Sequence, residues 1–521
     1  MPAAPPNSQP QPAQPPPAGR LDILALGDDT AAVLGLDVRR TRIVVTVLAV
    51  LLSAAAVTLV GPVGFVGLCA PVIVRLVPGL HRHHVLLPAA GIAGMLIILV
   101  SDVLLRAVMG GQAGVDIPAG VVTTIFGAVI LIWLARQHRD AGTTRLPPAS
   151  RSAPLRSRAF HLTLVTGCAA AVAAAILLGI FAGDTWVLAG DVTNWLQGRT
   201  GPAYTFVLDQ RWPRVAAAAL AGTALAIAGS VVQSVCRNPL AEPSILGITG
   251  GARVAAVGLL TFVPLAGVWA MSTAAGAGAA IAFALVYGLA WRSGLDSDRL
   301  VLIGVGLSTG CTALITFIIV STDPWNTAKA LTWLSGSTYG RTPAQVLPVA
   351  IALLLVIPLV VLARRDLELM ALDDDTPRVL GIPLERTRLV TLAGAALLAS
   401  TAVSAVGVIG FVGLVAPHAA RALVGGRQAR VAPVAALLGA LLVSVADTLG
   451  RTVIAPAQIP AGLVTAIIGA PYFVFLLWRS RNRAPRPARS LPRATTTDAA
   501  GIVARVGRNH PASANVIRRG N

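Results

Sequence analysis

This 521-residue chain is short of charge. Asp, Glu, Lys and Arg make up 12% of it, against roughly 25% in an average soluble domain, which argues against a water-soluble fold of this size. Lysine is almost absent. The one lysine is Lys329, in Thr-Ala-Lys-Ala, whereas a phosphate-binding Walker A loop needs a lysine behind a glycine-rich turn. The chain is therefore not itself an ATPase. Its four cysteines, Cys69, Cys168, Cys236 and Cys311, stand singly. Without a Cys-x-x-Cys pair, neither a disulfide frame nor a metal site is implied. The one histidine cluster, His81-Arg82-His83-His84, has no cysteine or carboxylate to complete a ligand set, so it reads as a solvated loop. No metal and no cofactor are expected.

What is there is apolar. Hydrophobic residues are 55% of the chain and the mean hydropathy is +0.75. Apolar runs of about 18–25 residues recur, long enough to cross a hydrocarbon core of about 30 Å. Their length argues for helices over a barrel. The net charge of +19 does not point to nucleic acid, because the arginines cluster in short gaps between alternate apolar runs, as positive-inside sorting requires. The expected fold class is all-α: a polytopic membrane protein. Residues 1–20 are rich in Pro and Gln, lack the basic start and apolar core of a signal peptide, and read as disordered. Residues 481–521 read as a basic cytosolic tail beside anionic membrane lipid.

A stretch of about 115 residues occurs twice. LGDDTAAVLGL (26–36) returns as LDDDTPRVLGI (372–382), and GPVGFVGLCAP (61–71) returns as GVIGFVGLVAP (407–417). The offset is 346 at Thr30/Thr376, Gly64/Gly410 and Arg75/Arg421, 345 at Asp102/Asp447 and 342 at Pro118/Pro460. This is a duplicated unit, too long in period for a solenoid, and its first copy reads as incomplete.

The second copy holds ten apolar spans, near 160–182, 213–235, 245–263, 268–290, 300–321, 344–363, 387–407, 409–425, 430–450 and 460–478. The first supplies only the last four, near 42–61, 63–79, 85–105 and 118–135. Arginine-rich gaps place both ends of each set in the cytosol, and the topology closes at about 14 spans, four plus ten. The domains expected are a partial unit at 21–140, a Pro/Ser/Arg-rich cytosolic linker at 141–158 and a complete unit at 159–480. Six further spans, about 200 residues, would complete the first copy. The expected origin is a double-length membrane protein of two fused units whose front has been lost or lies ahead of a misplaced start. Codons for six spans upstream of the start would support the second.

Three segments are too polar for their surroundings. In Gln233-Ser-Val-Cys-Arg237-Asn238-Pro239-Leu-Ala-Glu242-Pro243-Ser244 the prolines stop helices and Asn238 and Ser244 suit caps; an ordinary inter-helix turn explains it on local physics. The loop Asp373-Asp374-Asp375-Thr376-Pro-Arg-Val-Leu380-Gly381 has a twin in Gly27-Asp28-Asp29-Thr30 through Gly35. Acids at the start and a glycine at the end suit a short helix, which needs a docking partner to be stable. Its recurrence at the cytosolic face suggests protein docking. The third set is Arg211, Arg214, Arg451 and Arg106 at the outer face, against the sorting rule. Pro213 is expected to begin a helix that lets Arg211 and Arg214 face outward. Two readings stand: neutralisation by Asp209, Asp447 and Asp102, or a site for an acidic partner.

RWPR, RNPLAEPSILGITGGA, DDTPRVLGI, GVIGFVGLVAPH, ADTLGR and IPAGLVTAIIGAPYF follow one another in one order. The series resembles the FecCD-type permeases of ABC importers for iron–siderophore complexes, and the related haem and cobalamin permeases, over about 158–480 and again over about 21–139. The resemblance implies ten spans per unit, a paired permease (a second subunit or a second copy), two cytosolic ATPase subunits and an extracytoplasmic substrate-binding protein. It implies an ATPase-coupling role for Asp373, Asp374, Asp375, Thr376, Leu380 and Gly381, and for Asp28, Asp29 and Gly35 in the first copy. It implies that Arg211, Arg214 and Arg451 receive glutamates of the binding protein. Arg237, Asn238, Pro239, Gly410, Gly413, Pro417 and His418 are family motif positions. Two departures stand out: Asp373 replaces the glycine that the first copy keeps as Gly27, and Val72 stands where the second has His418.

The function expected is the permease subunit of a ferric-siderophore ABC importer, not an enzyme, with a haem or cobalamin permease as the alternative. A secondary transporter would need charges deep inside the spans, of which there are almost none. A non-transporting membrane protein is the third reading, kept open by the incomplete copy.

Overall fold

A computed structural model describes residues 17–61, 63–110, 117–137, 157–263, 266–291, 297–322, 330–331, 333–373 and 375–481. Most of the N-terminal segment, the linker and the basic tail lie outside them. The chain divides into two compact units, 1–469 and 470–521. Of the second, the described part is the end of the last helix, where the Phe475 and Trp478 rings lie 6.4 Å apart.

The segment expected to be a partial copy comprises α1 (Pro17–Leu24), α2 (Asp28–Val33), α3 (Val38–Val60), α4 (Val66–Arg75), α5 (His83–Met109) and α6 (Ala119–Gln137). The segment expected to be a complete copy begins with α7 (Arg158–Phe181), α8 (Ala189–Leu196), α9 (Pro202–Val235), a 3-10 turn (Pro243–Leu246), α10 (Ile248–Phe262), α11 (Val268–Ala290) and α12 (Ser297–Val320). It continues with α13 (Pro343–Leu362), α14 (Arg364–Met370), α15 (Asp375–Val379), α16 (Leu384–Val406), α17 (Val412–Val424), α18 (Gln428–Thr452) and α19 (Ala461–Arg481).

Each of the fourteen expected spans falls on a helix. Among the described residues ten helices are long and apolar enough to cross a membrane, while α4, α10, α17 and the apolar part of α19 are shorter. The 15 residues of α10 reach only about 22 Å. The 3-10 turn ahead of it, Pro243–Leu246, buries Pro243 and Leu246 in protein, the setting in which a bilayer tolerates backbone outside a regular α-helix. Ser308 on α12 donates to the Ser244 carbonyl at 2.8 Å, and a Cβ on Gly304 would run into the Ile245 carbonyl.

Helix α9 is the centre of the complete unit. Its Ala/Gly-rich stretch from Val215 to Val235 is largely buried, and small residues let its neighbours approach at backbone distance. A Cβ on Gly229 would run into the carbonyl of Gly413 on α17, and one on Gly222 into that of Gly439 on α18. Gly229→Ala should therefore cost about 1–3 kcal/mol by overpacking. Thermal unfolding in detergent would show it, and an unchanged midpoint would mean that α9 and α17 do not touch.

The two copies agree in strained detail. Phe65 and Phe411, which precede α4 and α17, have φ of 63° and 67°, a left-handed region costing a non-glycine residue about 1 kcal/mol or more. Each phenylalanine packs where a Cβ on Gly127 or Gly469 would stand. The glycine of the last span thus makes room for the bent phenylalanine, which explains GFVGL and IFGA/IIGA recurring together.

Candidate coupling and docking sites

At the inner face, as arginine sorting sets it, α15 is short: Pro377 lies in its first turn, where proline is tolerated, and Gly381 stops the chain just past its end at φ 78°. Asp373 caps it, accepting from the Thr376 amide at 2.6 Å and its hydroxyl at 2.8 Å. Those bonds hold the Asp373 carboxyl below the usual range. The cap is thus present at neutral pH and lost only as pH falls through the lowered value. Gly27, its counterpart, makes no side-chain cap on α2; Asp28 instead accepts from Arg42 at 2.5 Å. Asp29 is exposed, Gly35 ends α2 at φ 80°, and Asp374 lies outside the described residues.

What the two short helices share is an exposed apolar tip. Val379 and Leu380 are 85% and 61% exposed, and Val33 and Leu34 are 86% and 58%. Such pairs beside acids suit a protein cleft.

The structure adds a tie that the sequence reading missed. Glu368 on α14 accepts from the Ala429 amide at the start of α18, at 3.3 Å. Its counterpart Asp22 on α1 accepts from the His83 amide at the start of α5, at 3.0 Å. An acid at a helix N-terminus is favoured by the exposed amides and the dipole. His83 also meets Asp22 through its ring, Nδ1 to Oδ1 2.5 Å, so one histidine of the supposed solvated loop is an anchor. Leu367 and Met370 fix α14 by full burial. The signal was available: both acids precede their partners by 61 residues.

A second missed feature is a polar network around the inner end of α9. Arg421 donates to Gln233 Oε1, to the Ser230 carbonyl at 3.2 Å and to Ser234 Oγ at 3.3 Å. Gln428 donates to Ser230 Oγ at 2.9 Å, and Gln233 donates to the Gly413 carbonyl at 3.3 Å. A glutamine in an Ala/Val run was the available cue.

The motif positions take structural places. Arg237 turns the chain at φ 50°, Asn238 Oδ1 accepts from the Leu240 amide at 2.9 Å, and Pro239 follows in the turn. Gly413 and Pro417 are buried in α17, and His418 is half-buried beside them. A Cβ on Gly410 would meet nothing within 4 Å, so close packing does not explain that glycine.

At the outer face, Arg211, Arg214 and Arg451 are all buried. Pro213 does not begin a helix: α9 starts eleven residues earlier, at Pro202, and turns these side chains inward. Arg211 donates to the carbonyls of Ile180, Phe181 and Thr185. Arg214 Nε donates to Asp447 Oδ1 at 2.8 Å and its Nη1 to Gln458 at 2.8 Å. Arg451 lies 3.8 Å from Asp447 and donates to the Gly179 carbonyl. Of the neutralising acids weighed above, Asp447 and Asp102 pair as anticipated, the latter with Arg106 at 2.9 Å. Asp209 instead accepts from the Trp195 indole at 2.9 Å.

The FecCD transport family matches residues 18–137 and 171–479. The chain belongs to the FecCD transport family. It is 35% identical over 463 residues to the iron(3+)-hydroxamate import system permease protein FhuB of Escherichia coli strain K12, covering 89% of this chain and 68% of that one. It is 39% identical over 290 residues to the Fe(3+) dicitrate transport system permease protein FecD of the same strain, covering 56% of this chain and 90% of FecD. A solved metal-chelate type ABC transporter in an inward-facing conformation matches with a TM-score of 0.54 at 25% identity, over 61% of this chain and 99% of that one. The chain spans about two thirds of the length of FhuB. It is a multi-pass permease of the cell membrane, a transporter and not an enzyme.

Proposed function

We propose that this chain is the membrane-spanning permease subunit of an ABC importer for ferric-siderophore complexes, energised by a separate cytosolic ATPase and supplied by an extracytoplasmic binding protein. The observation that carries the coupling part is the exposed apolar tip of α15, Val379–Leu380, repeated at Val33–Leu34. Both short helices follow helices tied to the start of a long membrane helix, so a push on either tip has a rigid path inward. The cargo class rests on the similarity to permeases named for ferric hydroxamate and ferric dicitrate.

Charged residues do lie inside expected spans, Arg214, Arg253, Arg388, Arg421 and Asp447 among them, more than the sequence reading allowed. The carboxylate, Asp447, is engaged by Arg214 and Arg451 instead of standing open to a proton or sodium ion. The test is uptake by proteoliposomes holding the chain with its ATPase and binding protein. ATP-dependent accumulation of a ferric hydroxamate or citrate chelate, lost with a hydrolysis-deficient ATPase, is expected. Uptake that follows an ion gradient without the ATPase would overturn the proposal.

For Arg211, Arg214 and Arg451 the internal bonds support a structural role beneath the outer surface. Arg214→Glu should lower the amount of folded permease. The measurement is yield in detergent together with binding-protein affinity at low and physiological salt. Normal yield with weakened, salt-sensitive docking would restore the docking role.

A further inference from the structure

Of the charged residues inside spans, Arg214, Asp447 and Arg421 are held by the bonds described above, and Arg388 is not without a partner. Arg253 is different. Its Nε is buried without a hydrogen-bond partner, and among the described residues its side chain forms no hydrogen bond and no ion pair. Glu242 is the acid whose charge reaches it, but Glu242 accepts from the Ser244 hydroxyl instead. A charged side chain at the middle of a span costs about 2.5–3.5 kcal/mol and marks a site whose partner is to be sought. No described residue is that partner.

The packing of α10 sets where Arg253 stands. Gly250 faces α12, where an added Cβ would lie 3.0 Å from Cys311 Cβ and 3.4 Å from Ser308 Cα. Gly251 faces α11, where an added Cβ would run into the Gly278 carbonyl. At about 100° per residue, position 253 falls on the flank of the α12 contact that points away from α11. On α12, Ser308 and Cys311 face α10, and Leu307 meets Gly247 together with Val286 of α11. The same rotation puts Thr309, Thr312 and Thr316 on the flank away from α11. Thr312 is exposed and the other two are half-buried. Arg253 and this threonine row therefore border one groove. The three hydroxyls donate to carbonyls of their own helix, at 2.6, 2.9 and 3.0 Å, so they make the groove polar without engaging the guanidinium. Cys311 lies fourteen residues beyond the inner end of α12, about 21 Å along it. The groove at Arg253 is thus deep in the membrane, at the level where transport sites are built.

We propose that Arg253 binds an anionic group of the cargo part-way across the membrane and so favours ferric chelates that carry carboxylates. A guanidinium grips a carboxylate with two parallel hydrogen bonds, and such a pair is stronger where water is scarce. The backbone beneath Arg253 is already fixed, because Gly250 and Gly251 wedge α10 against α12 and α11, which lowers the ordering cost of binding. This role deepens the proposed function and takes the cargo class from it.

The test measures binding apart from transport. The full-length chain in detergent is titrated with ferric dicitrate, which is anionic, and with a ferric trihydroxamate, which is neutral. In Arg253→Gln the ratio of dicitrate affinity to trihydroxamate affinity should fall by about tenfold or more. Arg253→Lys, which keeps the charge but not the fork, should restore part of it, and Glu242→Gln should not lower it. No dicitrate binding by the wild type, or an unchanged ratio in Arg253→Gln, would overturn the proposal. So would an equal loss for both chelates, the mark of a structural role. The same loss in Glu242→Gln would also overturn it, making the two residues an ion pair of another conformation. Failure of ATP-driven uptake with the expected binding ratios would count against the proposed function and leave the Arg253 site standing.

Discussion

Asp447→Ala is expected to remove about 3–5 kcal/mol of stability, because it strands two buried arginines. Asp447 is 2% exposed and lies against Arg214, Arg451 and the Thr338 hydroxyl. Arg451 is left with the Gly179 carbonyl and Arg214 with Gln458 as neutral acceptors. The matching change in the partial copy, Asp102→Ala, should cost less than about 1 kcal/mol, since Asp102 and Arg106 sit partly exposed. One Asp-x-x-x-Arg motif thus yields two outcomes, decided by whether a helix like α9 lies over it. Thermal unfolding of each variant, purified alone in detergent, measures both. Equal shifts in the two variants would show that burial does not set the worth of this pair.

How far the sequence reached depends on which interactions were local. Helix type and approximate bounds were legible from apolar runs, since a span must satisfy its own backbone bonds whatever its neighbours do. The length of α9 was not: its first turns, PAYTFVLDQ, are polar enough to look like a loop, and Pro213 looked like a start. The inner short helices were legible because acid, threonine and glycine act within one turn. The outer arginines were only half legible. Four-residue spacing marked Asp447 and Arg451 as a possible pair, but the Arg214–Asp447 contact joins residues 233 apart. The Glu368–Ala429 and Asp22–His83 ties needed the duplication to be read as geometry, one contact predicting its twin.

Leu380→Asp should abolish transport while leaving insertion and yield unchanged. Leu380 is exposed beyond the end of α15, so an aspartate there disturbs nothing inside the chain, and surface changes of this kind usually stay within about 0.5 kcal/mol. In an ATPase cleft the same change buries a charge against an apolar wall, where a central contact is worth about 2 kcal/mol or more. Affinity for the ATPase should then fall by tenfold or more. Leu34→Asp should act likewise if the partial copy holds the second ATPase subunit, and have no effect if it does not. Glu368→Gln separates docking from transmission: it keeps the tip but weakens the bond to the start of α18, so ATPase binding should persist while transport per ATP hydrolysed declines. The measurements are ATPase co-purification, substrate-stimulated hydrolysis and chelate uptake in proteoliposomes. Wild-type stimulation and uptake in Leu380→Asp would remove α15 from the coupling path, and the exposed tips would then be surface residues without a partner.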